Sequence, residues 1–407
     1  MSDANEHGSL RQYYSNKKIQ VAFRNLTQHD ELRKFANERE EFLTRKLGLP
    51  CTYFSGKTVL EFGPGSGENS ICFALHGAFL TLVEPDPKSH NQIKSYFINN
   101  GLNESLINLS SESLENFSST ELFDFVDAEG FVASIQPPDK WLKVVNNLLK
   151  PNGLLLISYF EKHGSFSERF LNILVNILLF HMSRKNKKNT RHIDVTRNLM
   201  KFKWGSVGSL RSFDTWYLDH IVNPFAKLNF NLDASDLLGI AAQYGFHAQS
   251  SCPNYLDQIT VGWYKEFLSQ SDQIKSSKEF IFRNCLSFML GEKIFFTGDA
   301  RQLEEFYALI VKMLNDLEPF ENEEIPENSE ALIINLKNII SYLKQNRHDF
   351  YADDLPNVLY GLQLLVESIE IAVSGDQDSL ENLLVDNCWF NRFWGSPVHY
   401  LLLRKVA

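Results

Sequence analysis

The sequence predicts an α/β protein in which a mostly parallel β-sheet flanked by helices is joined to a large α-helical module. Two observations lead to this prediction. Between residues 57 and 160, short apolar runs alternate with helical segments, which is typical of parallel strands covered by helices. Between residues 266 and 390, apolar residues instead recur at helical spacing. Examples of this spacing are Leu332, Leu336, Ile339, Ile340 and Leu343.

The sheet is assembled from short apolar runs, and the intervening helices begin near Glu68, Pro87 and Pro138. The last apolar run, Val398–Lys405, also has the character of a strand. We expect it to join the first sheet, which makes the helical module an insertion. The alternative is a helical appendage whose last strand pairs elsewhere. The other predicted strands are Thr58–Phe62, Phe79–Glu84, Ser105–Leu109, Phe123–Asp127, Leu154–Phe160 and Phe246–Ser251.

These elements divide the chain into four parts. Residues 1–50 form a polar helical segment, and residues 51–265 form the sheet-containing core. Within the core, residues 165–230 are basic and aromatic and are predicted to cap it. Residues 266–390 are the helical module, and residues 391–407 return to the core as its last strand.

Composition limits the classes of function. The formal net charge of -10 argues against a protein whose whole surface binds nucleic acid. The five cysteines are scattered, and none has zinc-site or redox spacing, so we predict free thiols and no metal site. The start of the chain lacks the features of a secretory signal, and the most apolar stretch, Phe170–Met182, is too short for a transmembrane helix. A cytoplasmic protein is expected.

A glycine-rich loop follows the first predicted strand. Its glycines, Gly63, Gly65 and Gly67, allow a sharp turn and a close approach of the backbone to a ligand. The spacing is GxGxG, and Glu68 occupies the place where a dinucleotide-binding GxGxxG motif has its third glycine, which disfavours a nicotinamide-dependent oxidoreductase. The next strand ends at Glu84, whose carboxylate can accept hydrogen bonds from two adjacent hydroxyls.

This combination resembles the class I S-adenosylmethionine-dependent methyltransferases. Residues 123–130 are similar to the family's fourth strand, and residues 149–157 to its turn and fifth strand. The terminal run is similar to the seventh strand, which is antiparallel and lies between strands five and six. The resemblance implies a Rossmann-like, seven-stranded sheet, S-adenosyl-L-methionine as cofactor and methyl transfer as the reaction.

The resemblance also implies roles for individual residues. The methionine end of the cofactor is expected at the loop, the ribose at Glu84 and Pro85, and the adenine at Ser111 and Glu112, although the family's usual Asp-Ala is absent there. Asp127 lies where the fourth strand meets cofactor and substrate. The loop residues assigned to the methionine end are Glu61, Phe62, Gly63, Pro64, Gly65 and Gly67.

Methyl transfer requires alignment more than acid–base chemistry, because well-oriented reactants gain about 7–11 kcal/mol from positioning alone. A base is therefore optional, and the candidates for it are Glu129, His163 and His220. A lone histidine is more often a packing or surface residue, so both histidines also have an ordinary structural interpretation.

The predicted acceptor is a small molecule, with an anionic or sugar-containing one favoured by a basic stretch. Residues 184–211 carry nine bases and one acid, which suits phosphate or carboxylate groups, weak contact with an anionic membrane surface, or a solvated loop. Nucleic acid is disfavoured, because the motif of amino-group base methylation is missing after the fourth strand. The alternatives are methylation of RNA or protein, and a non-catalytic scaffold that retains the fold.

Overall fold

A computed structural model describes most of the chain and divides it into two compact units. The first unit comprises Met1–Phe160, Pro224–Lys278 and Val398–Ala407, and the second comprises Glu161–Asn223 and Glu279–Pro397. The structure describes residues 10–17, 28–132, 135, 137–185, 190–201, 203–207, 211–227, 232–256, 269–321, 329–386 and 394–406.

The helices and strands are as follows. The strands are β1 (Thr58–Phe62), β2 (Phe79–Val83), β3 (Leu106–Ser110), β4 (Phe123–Ala128), β5 (Leu149–Phe160), β6 (Phe246–Cys252), β7 (Ile294–Phe296), β8 (Phe350–Ala352) and β9 (Val398–Lys405). The α-helices are α1 (Leu10–Lys17), α2 (His29–Glu41), α3 (Glu68–Leu75), α4 (Pro87–Asn99), α5 (Pro138–Leu148), α6 (Phe166–Arg184), α7 (His192–Leu199), α8 (Trp204–Val207), α9 (Phe213–Trp216), α10 (Pro224–Lys227), α11 (Ala234–Gln243), α12 (Gln270–Leu290), α13 (Ala300–Asn315), α14 (Glu318–Glu321), α15 (Ser329–Gln345), α16 (Leu355–Ser374) and α17 (Gln377–Asp386). Short π-helical turns occupy Phe42–Lys46 and Tyr217–Ile221.

The first unit is built on a seven-stranded sheet with the strand order β3-β2-β1-β4-β5-β9-β6. The strands from β3 to β5 are parallel neighbours, and β9 is antiparallel to both β5 and β6. The predicted fold class is confirmed, since the sheet is mostly parallel, has seven strands and is accompanied by a helical module. The last strand comes from the chain terminus and lies where the family resemblance placed it.

The register of the sheet brings polar residues together at one edge. In parallel strands the carboxyl ends lie at the same edge, where ligands of open α/β sheets bind. Glu61 of β1 is level with Asp127 of β4, and the loop after β1 starts beside the end of β2. Most of the remaining side chains of these strands are buried and apolar, which fixes the register and therefore the position of the two carboxylates.

The second unit is helical. Its core is formed by apolar side chains of α6, α7, α13, α15 and α16, and β7 and β8 form a small antiparallel sheet beside them. The helical repeat predicted from Leu332 to Leu343 lies in α15, and all five of its apolar residues are buried. The apolar spacing in the sequence therefore identified the buried face of α15, as expected for an amphipathic helix.

The boundaries of the two units differ from the four predicted parts. Residues 161–223, which include most of the predicted cap at 165–230, group with the helical module, and residues 224–278 group with the sheet. The division between the units falls inside α12, which sequence patterns could not reveal because the helix is continuous there. Within the described ranges, none of the helices combines the length and apolar character needed to cross a lipid bilayer.

Candidate functional site

The loop between β1 and α3 has a backbone that requires glycine. Gly63, Gly65 and Gly67 have φ angles of 64°, 57° and 86°, in the left-handed region that other residues rarely adopt. A Cβ atom at Gly67 would lie 3.2 Å from the side chain of Ile93, and one at Gly63 would lie 3.0 Å from Phe131. The loop is therefore a close-fitting turn that opens directly into a helix.

Glu84 immediately follows β2, and its carboxylate is fixed against this loop. Oε2 accepts a hydrogen bond from the backbone N–H of Gly65 at 2.9 Å, and Oε1 accepts one from Asp86 at 2.8 Å. Burial raises the pKa of Glu84, although both of these hydrogen bonds favour its charged form. A carboxylate has about four lone-pair sites, so Glu84 retains acceptor capacity for further donors.

A buried arginine from α2 lies at the same end of the sheet. Arg39 of α2 forms a bidentate pair with Glu129, through Nη1 to Oε2 at 3.2 Å and through Nη2 to Oε1. Its Nη2 is also 3.6 Å from Oδ2 of Asp127. Burial alone would lower the pKa of Arg39, but Glu129 and Asp127 more than reverse this, so the guanidinium stays charged.

Two more carboxyl groups share this environment. Burial, followed by the nearby charges of Glu129 and Glu61, raises the pKa of Asp127 well above its usual value. Burial also raises the pKa of Glu61, which accepts a hydrogen bond from the hydroxyl of Ser70. Among the described residues, Nε of Arg39 is buried without a hydrogen-bond partner, and the buried carboxyl of Asp127 has no partner besides the neighbouring carboxyl of Glu129.

The structure brings some of the predicted cofactor residues together and leaves others apart. Glu61, the glycine loop, Glu84 and Asp127 gather at the carboxyl ends of β1, β2 and β4. Phe62 and Pro64 are buried there as well, whereas Pro85 is half-buried. Ser111 and Glu112 follow β3 and are exposed, with Glu112 bonded to the neighbouring Ser110. The adenine assignment thus remains a prediction.

The two histidines predicted as bases lie in the second unit. His163 is fully buried, with Nδ1 2.5 Å from Glu161 and Nε2 3.2 Å from the hydroxyl of Tyr307. His220 is 3.2 Å from Glu168. Burial alone would lower the pKa of His220, but the carboxylate of Glu168 reverses this, so its pKa is raised. Their catalytic roles stay predictions.

The basic stretch at 184–211 is partly neutralised by acids. Lys187 and Lys188 lie outside the described residues. Other bases are paired, since Arg191 contacts Asp194 at 2.7 Å. Two further pairs link Arg197 to Asp214 and Arg211 to Asp219. Fewer bases than the sequence suggested are therefore available for an anionic ligand within the described part of the stretch.

Sequence reasoning missed Arg39 and a second buried polar group. Tyr159 at the end of β5 and His399 at the start of β9 are level in the sheet, and Tyr255 lies between them. The hydroxyl of Tyr255 contacts Nδ1 of His399 and is 3.4 Å from the hydroxyl of Tyr159. Tyr159 and His399 could have been recognised as neighbours only if the register between β5 and the terminal strand had been predicted. No local pattern distinguishes Arg39 from the other charged residues of its helix.

Several solved structures are similar to this chain at low identity. PKMT2 from Rickettsia typhi is 18% identical, with a TM-score of 0.39, and the match covers 56% of this chain and 47% of that one. A putative S-adenosylmethionine-dependent methyltransferase from Listeria monocytogenes is 23% identical, with a TM-score of 0.26. The match covers 32% of this chain and 57% of that one. An S-adenosylmethionine-dependent methyltransferase from Clostridium acetobutylicum is 15% identical, with a TM-score of 0.28, and the match covers 38% of this chain and 56% of that one.

This chain thus spans about half the length of these solved structures. No curated protein matches the sequence at a significant level. A family model described as a methyltransferase domain matches residues 28–251, which is more than half of the 407 residues. The matched region contains the glycine loop, Glu84, Arg39 and Asp127. The chain belongs to this methyltransferase family, and the predicted class, S-adenosylmethionine-dependent methyltransferases of class I, and its cofactor are confirmed.

Proposed function

We propose that this protein transfers the methyl group of S-adenosyl-L-methionine to an oxygen or nitrogen atom of a small, sugar-containing or phosphorylated acceptor. The observation that carries the proposal is the fixed carboxylate of Glu84 beside the glycine loop. A carboxylate held in this way is already oriented before a ligand arrives, so little conformational freedom is lost on binding.

The residues of the first unit suit the parts of this cofactor. The glycine loop, with Glu61 and Asp127, would hold the methionine end, and Glu84 would accept hydrogen bonds from the ribose hydroxyls. The fit rests on two features of the site. Among the described residues, the buried carboxyl of Asp127 has no hydrogen-bond partner besides the neighbouring carboxyl of Glu129, which suits a ligand that brings donors. The close contacts at Gly63 and Gly67 leave no space for a side chain in the loop.

The cofactor supplies an electrophilic methyl group, so the main task of the protein is to align the acceptor and to exclude water. Among the candidate bases, Glu129 is the one that lies beside Asp127 at the carboxyl ends of the strands, and Arg39 fixes its carboxylate in one orientation. His163 and His220 remain candidates as well. A base of this kind contributes about 10²–10⁴-fold to the rate when the acceptor must lose a proton.

The acceptor assignment rests on the composition of residues 184–211, whose excess of bases favours an anionic group even though three of the arginines are paired with acids. We place the reaction in the cytoplasm, because the cysteines that the structure describes are free thiols, three of them buried. Weak contact with an anionic membrane surface is compatible with the same basic stretch.

The test begins with binding of S-adenosyl-L-methionine and its demethylated product by calorimetry. The labelled methyl donor is then incubated with the protein and a small-molecule extract of the host, and the labelled product is identified. Glu84→Ala should abolish labelling, whereas Glu104→Ala, an exposed glutamate at the opposite end of the sheet, should not. Label that appears in RNA or protein instead of the small-molecule fraction would overturn the acceptor assignment. Absence of binding at millimolar concentration would favour a non-catalytic scaffold.

A further inference from the structure

Two aromatic side chains of the second unit lie together at its surface. The ring centroids of Trp204 of α8 and Phe213 of α9 are 5.3 Å apart, with an interplanar angle of 81°. Both side chains pack against the core of the unit and yet remain partly exposed. Neighbouring aromatic rings that stay in contact with water are typical of a surface that binds a ligand. We call these two rings the Trp204–Phe213 platform.

Buried residues hold the platform in place. Trp216 is 3% exposed, and its ring centroid lies 5.0 Å from that of Trp204 and 5.6 Å from that of Phe213. Its Nε1 donates a hydrogen bond to the carboxylate of Glu168 at 3.2 Å, which fixes the indole ring. Tyr217 stacks on Phe213 with centroids 6.3 Å apart. Because these contacts orient the two rings in advance, little conformational freedom is lost when a ligand stacks on them.

A row of exposed ion pairs borders the platform. The guanidinium of Arg197 lies over the ring of Phe213, 5.2 Å from its centroid, and pairs with Asp214. Arg197 is also 3.8 Å from Asp194, which pairs with Arg191 at 2.7 Å. The four charged side chains are between 38% and 74% exposed, and their two positive and two negative charges cancel. The row therefore offers hydrogen-bond donors and acceptors side by side without a net charge.

This combination selects a chemical class of ligand. The C–H bonds on one face of a hexose ring carry small positive charges, which pack on the negatively charged face of an aromatic ring. The hydroxyl groups at the edge of the same ring both donate and accept hydrogen bonds, as the ion pairs do. Nucleobases also stack on aromatic rings, but they arrive with phosphate groups that the exposed acids Asp194 and Asp214 repel. A sugar ring matches both parts of this surface.

We propose that the Trp204–Phe213 platform is a sugar-binding site, on which one hexose ring of the acceptor stacks while the pair of Arg197 and Asp214 forms hydrogen bonds with its hydroxyl groups. The inference rests on the proposed function and deepens it, because it assigns recognition of the sugar part of the acceptor to named residues of the second unit. Binding of a sugar to these residues requires no cofactor, so it is measured separately from methyl transfer.

Saturation-transfer-difference NMR on the full chain tests the proposal, because it detects the ligand protons that contact the protein. The probes are the methyl glycosides of glucose, galactose, mannose and N-acetylglucosamine, with uridine monophosphate as the nucleobase probe. At least one glycoside should bind in the millimolar range, with the strongest transfer to the C–H protons on one face of its ring. Inorganic phosphate should not displace it, because the bordering ion pairs carry no net charge.

Substitutions separate stacking from general apolar contact. Trp204→Leu keeps an apolar side chain but removes the aromatic face, so it should weaken glycoside binding about tenfold, whereas Trp204→Phe should retain most of the affinity. Asp214→Ala, at an exposed position, should weaken binding about fivefold and is the second variant in case Trp204→Leu does not fold. Tyr351→Ala is the matched control and should bind normally, because Tyr351 is an exposed ring of the same unit with Lys293 5.1 Å from its centroid.

A folded variant is identified by its circular dichroism spectrum and cooperative melting. The proposal is overturned if none of the glycosides binds, if inorganic phosphate displaces the bound glycoside, or if the folded variants Trp204→Leu and Asp214→Ala bind it as tightly as the wild type. Tighter binding of uridine monophosphate than of every glycoside, lost in Trp204→Leu, overturns it in favour of a nucleobase site. Failure of the wild-type protein to bind S-adenosyl-L-methionine contradicts the proposed function instead, so the two failures are distinguishable.

Discussion

Replacing Arg39 by Met tests whether the buried charge cluster is organised as described. The substitution preserves most of the apolar contact of the side chain but leaves the carboxylates of Glu129 and Asp127 without their cation. Removing one partner of a buried ion pair costs about 3–5 kcal/mol, because the other charge remains buried and unpaired. For a domain of 150–250 residues this corresponds to a fall in melting temperature of about 6–20 °C.

The size of this loss should depend on pH. Burial already raises the pKa of Asp127 in the folded state, and without the charge of Arg39 it lies further above its value in the unfolded chain. The folded state then binds more protons than the unfolded state, so its stability falls as the pH rises. The variant should be only slightly less stable than the wild type at pH 5.5 and much less stable at pH 8.

Thermal and urea unfolding at both pH values measure this effect. Arg45→Met is the matched control, because Arg45 forms an exposed pair with Glu41 at the end of the same helix, and its loss should not change the melting temperature. Adding Glu129→Gln to Arg39→Met should restore part of the stability at pH 8. Equal melting of Arg39→Met and wild type at pH 8, or the same loss at both pH values, would refute the reasoning.

Three further substitutions test the site and the sheet. Glu84→Gln turns an NH₂ group toward a backbone N–H and should weaken donor binding about 10–100-fold by calorimetry; unchanged affinity would contradict the ribose assignment. Gly67→Ala places a Cβ 3.2 Å from Ile93 at a φ of 86° and should abolish binding, whereas Gly101→Ala, with a similar φ and open space, should lose only about 1–2 kcal/mol of stability and bind normally. Leu402→Asp puts a charge into the fully paired terminal strand and should prevent folding of the sheet; soluble, cooperatively melting protein would argue against its place between β5 and β6.

The sheet could be predicted from the sequence because each of its signals is local. A run such as Thr58–Phe62 is mostly apolar and is followed by glycines, so strand and turn are specified within ten residues. The terminal strand was harder, since Val398–Lys405 pairs with residues about 250 positions earlier. The position of this strand in the sheet was predicted from the family resemblance. Its own apolar pattern fits an edge strand as well as a central one.

The division into units lies beyond such local signals. Residues 165–230 come soon after β5, and their aromatic and basic composition predicts a cap but does not indicate which helices they contact. In the structure, α6 packs against α16. The apolar face of α16 has no feature in the sequence that identifies α6 as its partner. Because any two apolar stripes attract each other through the same nonspecific effect, composition cannot select the partner.

Arg39 is a second case in which a local sequence pattern does not predict the contacts of a residue, here within the candidate site. It belongs to a charged run on a helix, where the pattern predicts a solvated residue, yet it is 8% exposed and bound to a carboxylate 90 positions away. The geometry that buries it comes from Phe42 and Phe73, whose rings lie within 6 Å of the guanidinium. A residue whose role depends on a surplus of acids can be recognised only after the strands have brought those acids together. Sequence motifs therefore identify the loop and Glu84, whereas the charge balance of the site emerges from the fold.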